Sequence, residues 1–359
     1  MESERRLAVS RATESWLAID IGGANIKAAH EQGQARALPF ELWKRPDELG
    51  EVLSRLAAVF PPIGRVAITM TAELCDCYPT KAVGVRSVLD ATKAAFPSLP
   101  IHVWGIDNTF HSVEDIQIRP ARAAAANWLA LADVAARLIP KGAGVLIDIG
   151  TTTTDLIPVL DGHSAARGRS DTERLQTGEL VYAGVRRTPI CALATELAFH
   201  GKPTGLAAEL FASTLDVYLT LGEIPDDPKD HSTADGRSAT TDAARDRLAR
   251  MVGADRDSFS KEDARAFAQA ANDLLLARLS AALERACRHV GRPGTAVISG
   301  SGEFLAQRLA QRSIAPGGSI IRLNDAWGEL ASSAGCASAL LVLARERLGS
   351  TPNRGEIAV

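Results

Sequence analysis

The stretch that decides the fold runs from Val145 to Asp155 and reads VLIDIGTTTTD. Its apolar beginning has the length of one buried strand, and this strand ends at Asp148. Gly150 then allows a sharp turn whose amides can approach an anion, and four hydroxyl side chains follow it. A carboxylate at this place could hold a divalent cation or orient a water molecule. The stretch therefore predicts a phosphate and metal site, although a threonine-rich hairpin with a structural aspartate would show the same pattern.

The same pattern occurs near the N-terminus, where the chain from Trp16 to Lys27 reads WLAIDIGGANIK. Again an apolar run ends in Asp-Ile-Gly, here at Asp20 to Gly22, and a second strand follows. The two hairpin tips look like equivalent positions in two related domains, and two such tips that face one another would bind a polyphosphate. The phosphate-binding residues predicted at the tips are Gly22, Gly23, Asn25, Gly150, Thr151, Thr152 and Thr153.

A third motif runs from Thr295 to Ala306 and reads TAVISGSGEFLA, which is a strand that leads into a glycine-rich turn. Three motifs in this order resemble the superfamily of acetate and sugar kinases, heat-shock ATPases and actin. The resemblance implies an α/β fold of two ribonuclease-H-like domains around a central cleft, each of which supplies one phosphate loop. It also implies that the late turn binds a nucleotide or another substrate group through Gly300, Ser301, Gly302 and Glu303.

Length and composition agree with two domains of ordinary size, because the chain has 359 residues, of which 46% are hydrophobic and 23% charged. We predict domains at 15–118 and 119–349, with a helical and loop insertion in the second at about 190–290. A net charge of −3 gives no reason to expect nucleic acid or an anionic membrane as a partner. No apolar run reaches the ~20 residues of a membrane helix, and the polar N-terminus lacks a signal-peptide core. We therefore expect a cytoplasmic protein and leave a homo-oligomer open.

Apolar periodicity and turn residues predict the other elements. Further strands are expected at 16–20, 26–30, 35–39, 66–70, 101–104, 156–160 and 320–323. Helices are expected at 47–59, 82–96, 119–138, 245–251, 261–290 and 327–348. The polar residues 223–238 are expected to form a loop, and residues 1–14 and the tail from Ser350 to lie outside the folded domains.

The segment after strand 66–70 carries two acidic candidates, Glu73 and Asp76. Sheets of α/β proteins place ligand loops at the carboxyl ends of their strands, so either residue could act as an acid or base or bind a metal. Solvated loop carboxylates are the alternative. The neighbouring Cys75 and Cys77 have no second cysteine pair at zinc-ligand spacing, and reduced thiols are expected throughout the chain.

Two arginine-containing segments complete the candidates. Arg186 and Arg187 could bind a diphosphate, because a planar guanidinium group can donate two parallel hydrogen bonds to phosphate oxygens. The alternative is that both arginines form salt bridges at the surface. Asp235 and Arg237 flank Gly236 in the polar loop, and a tight turn there would present both side chains outward. The histidine of the same loop, His231, is expected to be a solvated loop residue.

The residues within and between the motifs restrict the resemblance to one branch of the superfamily. The segments that carry it are DIGGAN at 20–25, TMTAEL at 69–74, DIGTTTTD at 148–155, GVRRTP at 184–189, TADGR at 233–237 and SGSGEFLA at 299–306. Together they resemble the hydantoinase/oxoprolinase-like proteins of tetrahydromethanopterin-linked one-carbon metabolism, whose methanogen members include a condensing enzyme of methanofuran biosynthesis. The resemblance extends from about residue 16 to about residue 345.

The resemblance implies a transferase that makes a methanofuran- or methylofuran-type carrier. Such an enzyme condenses a furanmethanol diphosphate with a phenolic amine or amino acid and releases diphosphate. The phosphate loops would then bind the diphosphate of the substrate, with Mg²⁺ held by Asp20 and Asp148. Positive charge near the leaving group would come from Lys27, Arg186, Arg187 and Arg237.

A carboxylate, Glu73 or Asp235, would take the phenol proton in this reaction. Two other functions remain open at this stage. An ATP-dependent kinase, or an ATP-driven hydrolase of the oxoprolinase kind, would use the same three motifs, although such hydrolases are much longer. A nucleotide-sensing or scaffold protein is the second alternative, and the retained Asp20, Asp148 and Asp155 argue against it.

Overall fold

The structure is a computed structural model that describes residues 15–349. The predicted leader at 1–14 and the predicted tail from Ser350 lie outside the described residues. The described chain forms two compact units, one from residues up to Leu138 together with those from Leu323 onward, and one from Ile139–Arg322. This division differs from the predicted boundary at 118/119, because residues 119–138 and the C-terminal helices group with the first unit.

Six strands form the sheet of the first unit. They are β1 (Trp16–Ile21), β2 (Asn25–His30), β3 (Ala35–Pro39), β4 (Arg65–Met70), β5 (Ile101–Trp104) and β6 (Phe110–His111). Their order across the sheet is β3-β2-β1-β4-β5-β6, in which β1 runs antiparallel to β2 and parallel to β4. All strands predicted for this region are present, and β6 is an addition that sequence reasoning missed.

The first helices of this unit are α1 (Leu49–Ala57), α2 (Lys81–Ala95), α3 (Val113–Ile118) and α4 (Asn127–Ala135). Helix α1 buries Leu49, Val52, Leu53 and Leu56 at the predicted helical spacing. The single helix predicted over 119–138 is wrong. Ala125 has a left-handed φ of 50°, which an α-helix of L-residues does not accommodate, so only α4 and short 3₁₀ turns at Pro120–Arg122 and Ala136–Leu138 form.

The second unit contains a main sheet, a separate two-stranded sheet and several helices. The strands of both sheets are β7 (Ala143–Ile149), β8 (Thr154–Leu160), β9 (His163–Ser164), β10 (Leu180–Val181), β11 (Glu196–Phe199), β12 (Lys202–Gly205), β13 (Thr295–Ser299) and β14 (Ser319–Arg322). Its helices are α5 (Asp171–Thr177), α6 (Thr214–Leu221), α7 (Thr241–Arg250), α8 (Lys261–Cys287) and α9 (Glu303–Ser313). The two-stranded sheet, formed by β11 and β12, and helices α6 to α8 lie between β10 and β13 in the chain.

The main sheet of the second unit has the order β10-β8-β7-β13-β14, which repeats the order β3-β2-β1-β4-β5 of the first unit. Strand β7 runs antiparallel to β8 and parallel to β13, as β1 does to β2 and β4. In each unit one helix, α2 or α9, connects the fourth of these strands to the fifth. The repeated topology confirms the predicted pair of ribonuclease-H-like domains.

The chain ends with α10 (Leu323–Trp327), α11 (Glu329–Ser333) and α12 (Gly335–Leu348) in the first unit. The single helix predicted over 327–348 is wrong. Gly328, with a φ of 82°, precedes a short helix, and Ala334, whose φ of −112° and ψ of 37° are not helical, separates that helix from the next one. Helix α12 packs on β1 and α4 through small buried residues. Within residues 15–349 no helix is long and apolar enough to cross a membrane.

The strand register gives the two aspartates the same position in their units. Asp20 is the penultimate residue of β1, and Asp148 is the penultimate residue of β7. The residues that pair with them on the two neighbouring strands are Lys27 and Thr69 in the first unit, and Asp155 and Ser299 in the second. Directly paired residues place their side chains on the same face of a sheet. Each unit therefore gathers polar groups around its aspartate.

Candidate functional site

The first hairpin tip is closed by a hydrogen bond of 3.0 Å from the Gly22 amide to the Asn25 carbonyl. A Cβ atom on Gly22 would lie 2.8 Å from that same oxygen, and one on Gly23 would lie 2.6 Å from Cys75 Sγ. Both distances are shorter than real Cβ atoms allow. The backbone contact requires glycine at position 22, whereas a side chain at position 23 would displace the Cys75 thiol. This close packing places Asp20, which is 7% exposed, at the base of the tip.

Polar groups of the first unit converge on the Asp20 carboxylate. Asn127 Nδ2 donates to both carboxylate oxygens at 3.4 Å. Thr69 lies beside Asp20 on β4; its side chain is fully buried, and its hydroxyl has no hydrogen-bond partner within residues 15–349. Lys27 lies opposite Asp20 on β2. Sequence reasoning missed Asn127 and Thr69, because neither belongs to the hairpin motif.

Glu73 is almost completely buried, at 1% exposed, in a 3₁₀ turn formed by Ala72–Leu74. Its backbone rests on α2, where a Cβ atom on Gly84 would lie 2.3 Å from the Glu73 carbonyl oxygen. Asp76, the other acidic candidate of this segment, is exposed. Because burial excludes bulk water from the Glu73 side chain, Glu73 is the better placed of the two candidates for acid–base chemistry.

The second hairpin tip fixes Asp148 through the glycine-rich turn after β13. Ser299 Oγ donates a hydrogen bond of 2.7 Å to Asp148 Oδ1. Gly300 has a left-handed φ of 93°, and a Cβ atom there would lie 2.3 Å from the Ile149 carbonyl oxygen. The Gly302 amide donates to this same oxygen at 2.8 Å. The structure therefore brings the predicted turn at 300–303 directly against the end of β7.

Backbone hydrogen bonds from the segment 184–187 fix the threonine-rich hairpin tip. The amide of Val185 donates to the Gly150 carbonyl at 3.1 Å, and the amides of Arg186 and Arg187 donate to the Thr151 carbonyl at 3.1 and 3.0 Å. The carbonyl groups of the tip are thus satisfied by the chain. Over the part of the chain that the structure describes, no acceptor bonds the amides of Thr151 and Thr152. Amides left over in a tight turn form an anion-binding concavity.

Asp155 lies beside Asp148 and is held by an ion pair with Arg174, at 2.5 Å. The Arg174 side chain is 2% exposed and also donates to the Glu179 carbonyl at 3.2 Å. Burial raises the pKa of Asp155, the Arg174 guanidinium acts against this, and the nearby Asp148 carboxylate adds to the rise. Arg174 was not among the predicted site residues, because nothing in its surrounding sequence marks it as buried.

The two neighbouring arginines behave differently. Arg186 forms an ion pair with Asp230 from the polar loop, whereas the side chain of Arg187 is exposed. Burial acts to raise the pKa of Asp230, but the Ser232 amide and the Arg186 guanidinium hold it below its usual range. Arg186 can reach a phosphate at the tip only if it leaves Asp230 or shares its guanidinium with both.

Asp235 and Arg237 are exposed residues of the loop, as predicted, but both side chains are held in an ion-pair network. Asp235 accepts hydrogen bonds from Arg237 Nε at 2.8 Å, Arg247 Nη1 at 3.1 Å and Arg250 Nη1 at 3.2 Å. Although burial acts to raise it, these partners hold the pKa of Asp235 far below its usual range. Arg237 also pairs with Asp246 at 2.9 Å. This network joins the loop to α7 and favours a structural role for both residues over proton transfer or phosphate binding.

The remaining predicted residue, Glu303, pairs with Arg322 at 2.5 Å and so is tied to the end of β14. Across residues 15–349, no three His, Cys, Asp or Glu side chains are grouped as ligands for one metal ion. Magnesium differs from zinc here, because it commonly uses one or two carboxylates and completes its shell with water and substrate phosphate. The single oriented carboxylate of Asp148, beside the free tip amides, fits such a shared site.

Comparison with known proteins agrees with the motifs. A family model described as hydantoinase/oxoprolinase matches residues 65–345. A protein of Methanocaldococcus jannaschii is 32% identical over 335 residues, which cover 92% of this chain and 98% of that protein. It is named as the synthase of a (phenoxymethyl)furan-methanamine whose phenyl ring carries a gamma-L-glutamylaminoethyl group. A protein of the same name from Methanococcus vannielii is 29% identical over 211 residues, covering 58% of this chain and 94% of that protein.

The fold also has a counterpart among solved structures. Nucleotide-free acetone carboxylase, from a study of ATP-dependent acetone carboxylation, matches with a TM-score of 0.52 at 11% identity, covering 91% of this chain and 70% of that one. This likeness concerns the fold alone. The match of the family model over most of the chain and the 32% identity over nearly all of it show that the chain belongs to the hydantoinase/oxoprolinase family.

Proposed function

We propose that this protein is an enzyme that condenses a furanmethanol diphosphate with a phenolic amine or amino acid and releases diphosphate, in the biosynthesis of a methanofuran-type carrier of one-carbon units. The observation that carries the proposal is the second hairpin tip, where Ser299 orients Asp148 beside the unused amides of Thr151 and Thr152. A carboxylate next to free amides suits a magnesium diphosphate. The names of the methanogen relatives support the substrate class, since their product contains a phenoxymethyl-furan ether.

The proposed reaction forms one C–O bond and breaks another. The phenol oxygen bonds to the methylene carbon of the furan substrate, and the bond between that carbon and the diphosphate oxygen breaks with its electron pair on the diphosphate. Glu73 takes the phenol proton, and Lys27 stabilises developing negative charge. Magnesium, when bound by Asp148 and diphosphate oxygens, would neutralise the leaving group. Asp20 is the corresponding carboxylate of the first unit, and Asn127 holds it in place.

Asp235 is not assigned the role of base in this proposal. Three guanidinium groups surround it and hold its pKa low, so it accepts a proton poorly at neutral pH. Arg186 would assist the diphosphate only after exchange with its present partner, Asp230. Arg187, whose side chain is exposed, would also supply positive charge to the diphosphate.

An ATP-dependent small-molecule kinase or hydrolase is the second candidate. It is favoured by the turn at 300–303, which packs on the end of β7 and which the resemblance to kinases and heat-shock ATPases assigns to adenosine. A nucleotide would place its phosphates at the same tip, so the two candidates differ in the group that occupies the glycine-rich turn.

Ligand-dependent thermal stability separates the two candidates. Mg²⁺ with diphosphate, with ADP and with ATP would be compared on the wild type and on Asp148→Asn. A ligand that binds only the folded state at a hundred-fold excess over its Kd stabilises by about 2.7 kcal/mol. The proposal expects a rise in Tm with diphosphate that is lost in Asp148→Asn. Stabilisation by ATP alone, lost in the same variant, would favour the ATP-dependent enzyme.

A further inference from the structure

A second polar site lies in the second unit, away from the hairpin tip. It is a cavity of about 310 Å³ between α6, α8 and α9. Its lining is mainly charged or amide side chains, with Leu221 and Leu276 as the apolar exceptions. The charged residues that line it are Arg265, Arg308, Arg312, Glu223 and Asp273. Its volume is at the lower limit for ligand pockets, which suits one small polar group and not a large apolar ligand.

The charges in this cavity are only partly used by the protein itself. Arg308 pairs with Glu223 and lies over the ring of Phe304. The guanidinium groups of Arg265 and Arg312 form no ion pair or hydrogen bond with any residue in the described range. These two guanidinium groups therefore offer donors for a carboxylate in the geometry that arginine favours.

Acceptors for a positively charged group lie in the same cavity. Asp273 lines it and accepts from Gln269 Nε2 at 3.1 Å, and Glu223, the ion-pair partner of Arg308, lines it as well. Asn272, which is 3% exposed, forms part of the wall and is backed by the buried hydroxyl of Tyr218 at 3.5 Å. A site that combines free guanidinium groups with carboxylates is complementary to a zwitterion.

Helix α9 connects this cavity to the glycine-rich turn. The helix begins at Glu303, directly after the turn that packs on the end of β7. Arg308 and Arg312 follow five and nine residues later, which is about 7.5 and about 13.5 Å along the helix axis. An elongated substrate could therefore reach from the turn to the cavity along one helix.

We propose that this cavity binds the α-amino-acid end of the acceptor substrate, with Arg265 and Arg312 on its carboxylate and Asp273 on its ammonium group. The inference rests on the proposed function, because it assigns the polar end of the phenolic acceptor named there. The γ-glutamyl group in the product of the methanogen relatives has this chemistry. The flat apolar surface that an adenine ring needs is lacking in the lining described above.

Calorimetric titration of the wild type with γ-glutamyltyramine and with tyramine, which lacks the amino-acid end, tests the inference. We expect γ-glutamyltyramine to bind at least ten-fold more tightly than tyramine. Arg265→Ala and Arg312→Ala should each reduce this preference by about ten-fold, and the double variant should abolish it, while tyramine binding stays unchanged. Arg288→Ala, an exposed arginine that follows α8 outside the cavity lining, is the matched control and should retain the preference.

The failure of this inference can be distinguished from failure of the proposed function. Stabilisation by Mg²⁺ and diphosphate, measured on the same variants, reports on the hairpin tip and should not depend on Arg265 or Arg312. If diphosphate does not bind but the arginine-dependent preference persists, the proposed function fails and the amino-acid site stands. Equal binding of the two phenols by the wild type, or an unchanged preference in the double variant, would overturn the inference.

Discussion

Ser299 Oγ donates a hydrogen bond of 2.7 Å to Asp148 Oδ1, and the two residues lie side by side on β13 and β7. This bond uses one carboxylate oxygen and leaves the other for a cation. The same two positions in the first unit are occupied by Thr69 and Asp20, so the arrangement of hydroxyl and carboxylate is repeated. The pairing gives the repeated Asp-Ile-Gly motif a physical role: the strand next to each motif supplies a hydroxyl group that can orient the carboxylate.

Ser299→Ala should weaken ligand binding at the second tip far more than it weakens the fold. Loss of one hydrogen bond costs about 0.5–1.5 kcal/mol in stability, whereas loss of a group that orients a metal ligand costs about 10- to 100-fold in affinity or activity. We would measure the Kd for Mg²⁺-diphosphate by calorimetry together with urea unfolding. Ser98→Ala, an exposed serine outside both hairpin tips, is the control, and equal losses in the two variants would contradict the role of Ser299.

Thr69→Val should leave the free energy of unfolding unchanged or raise it, while it lowers activity. The Thr69 hydroxyl is fully buried without a partner in the described structure, and an unsatisfied buried polar group costs about 1–3 kcal/mol. Valine has nearly the same shape as threonine and removes that penalty. The Thr69 hydroxyl therefore does not contribute to stability, and we expect it to contribute to activity. Chemical unfolding and a condensation assay would be run in parallel. A fall in stability without loss of activity would show that the hydroxyl is structural.

Gly84→Ala should displace Glu73. The new Cβ atom would lie 2.3 Å from the Glu73 carbonyl oxygen and 2.7 Å from its Cα atom, and backbone on both sides leaves little room to relax. We expect a destabilisation of about 1–3 kcal/mol and a loss of activity similar to that of Glu73→Gln. The control is Gly335→Ala in α12, where a Cβ atom would lie 3.6 Å from Leu131 Cδ1, an ordinary contact. That variant should be neutral or stabilising, since alanine is the better helix former.

The stability of the first unit should fall as the pH drops from 7 to 5. His30 is fully buried, and burial lowers its pKa below the ordinary value of about 6.5. The unfolded chain then binds a proton that the folded chain does not, so the stabilisation is complete above about pH 6.5 and is lost as the pH falls toward the lower folded pKa. The slope contributed by one histidine is at most about 1.4 kcal/mol per pH unit.

Urea unfolding of the wild type and of His30→Gln over this pH range would measure that slope. The variant should be less stable near pH 7 and should show a smaller loss on acidification. Some pH dependence should remain, because burial and the neighbouring Arg65 also lower the pKa of His102. His231→Gln, in the exposed loop, should retain the wild-type slope. An unchanged slope in His30→Gln would show that His30 does not couple folding to protonation.

The sequence is sufficient to predict the longer strands of both sheets and the repeated hairpins, because each follows from local patterns of apolar residues, glycine and aspartate. The short strands β6 and β9 to β12 were not predicted. The helices over 119–138 and 327–348 were predicted too long, since the backbone leaves the helical conformation at Ala125 in the first range and at Gly328 and Ala334 in the second. Apolar periodicity alone does not reveal such breaks. The residues that contact the site residues were also not predicted, because they come from other strands and helices. Thr69 and Ser299 could have been found by aligning the two halves, whereas Asn127 and Arg174 depend on tertiary packing.

Asp235→Asn separates a structural from a catalytic role for this residue. The carboxylate accepts hydrogen bonds from three arginines, and one of these, Arg247, is completely buried and also pairs with Asp216 at 2.7 Å. Removing the charge leaves these guanidinium groups undercompensated, so we expect a loss of about 1–3 kcal/mol in stability near pH 7. Because the folded pKa of Asp235 is depressed, the contribution of its carboxylate to stability is present above the unfolded pKa of about 3.9 and is lost as the pH falls through the folded value.

Condensation assays from pH 5 to 9, at a temperature where Asp235→Asn is folded, should give the wild-type pH profile for this variant. Glu73→Gln, in contrast, should abolish the limb of the profile that depends on the base. A profile altered by Asp235→Asn and unaltered by Glu73→Gln would reverse the assignment of the base.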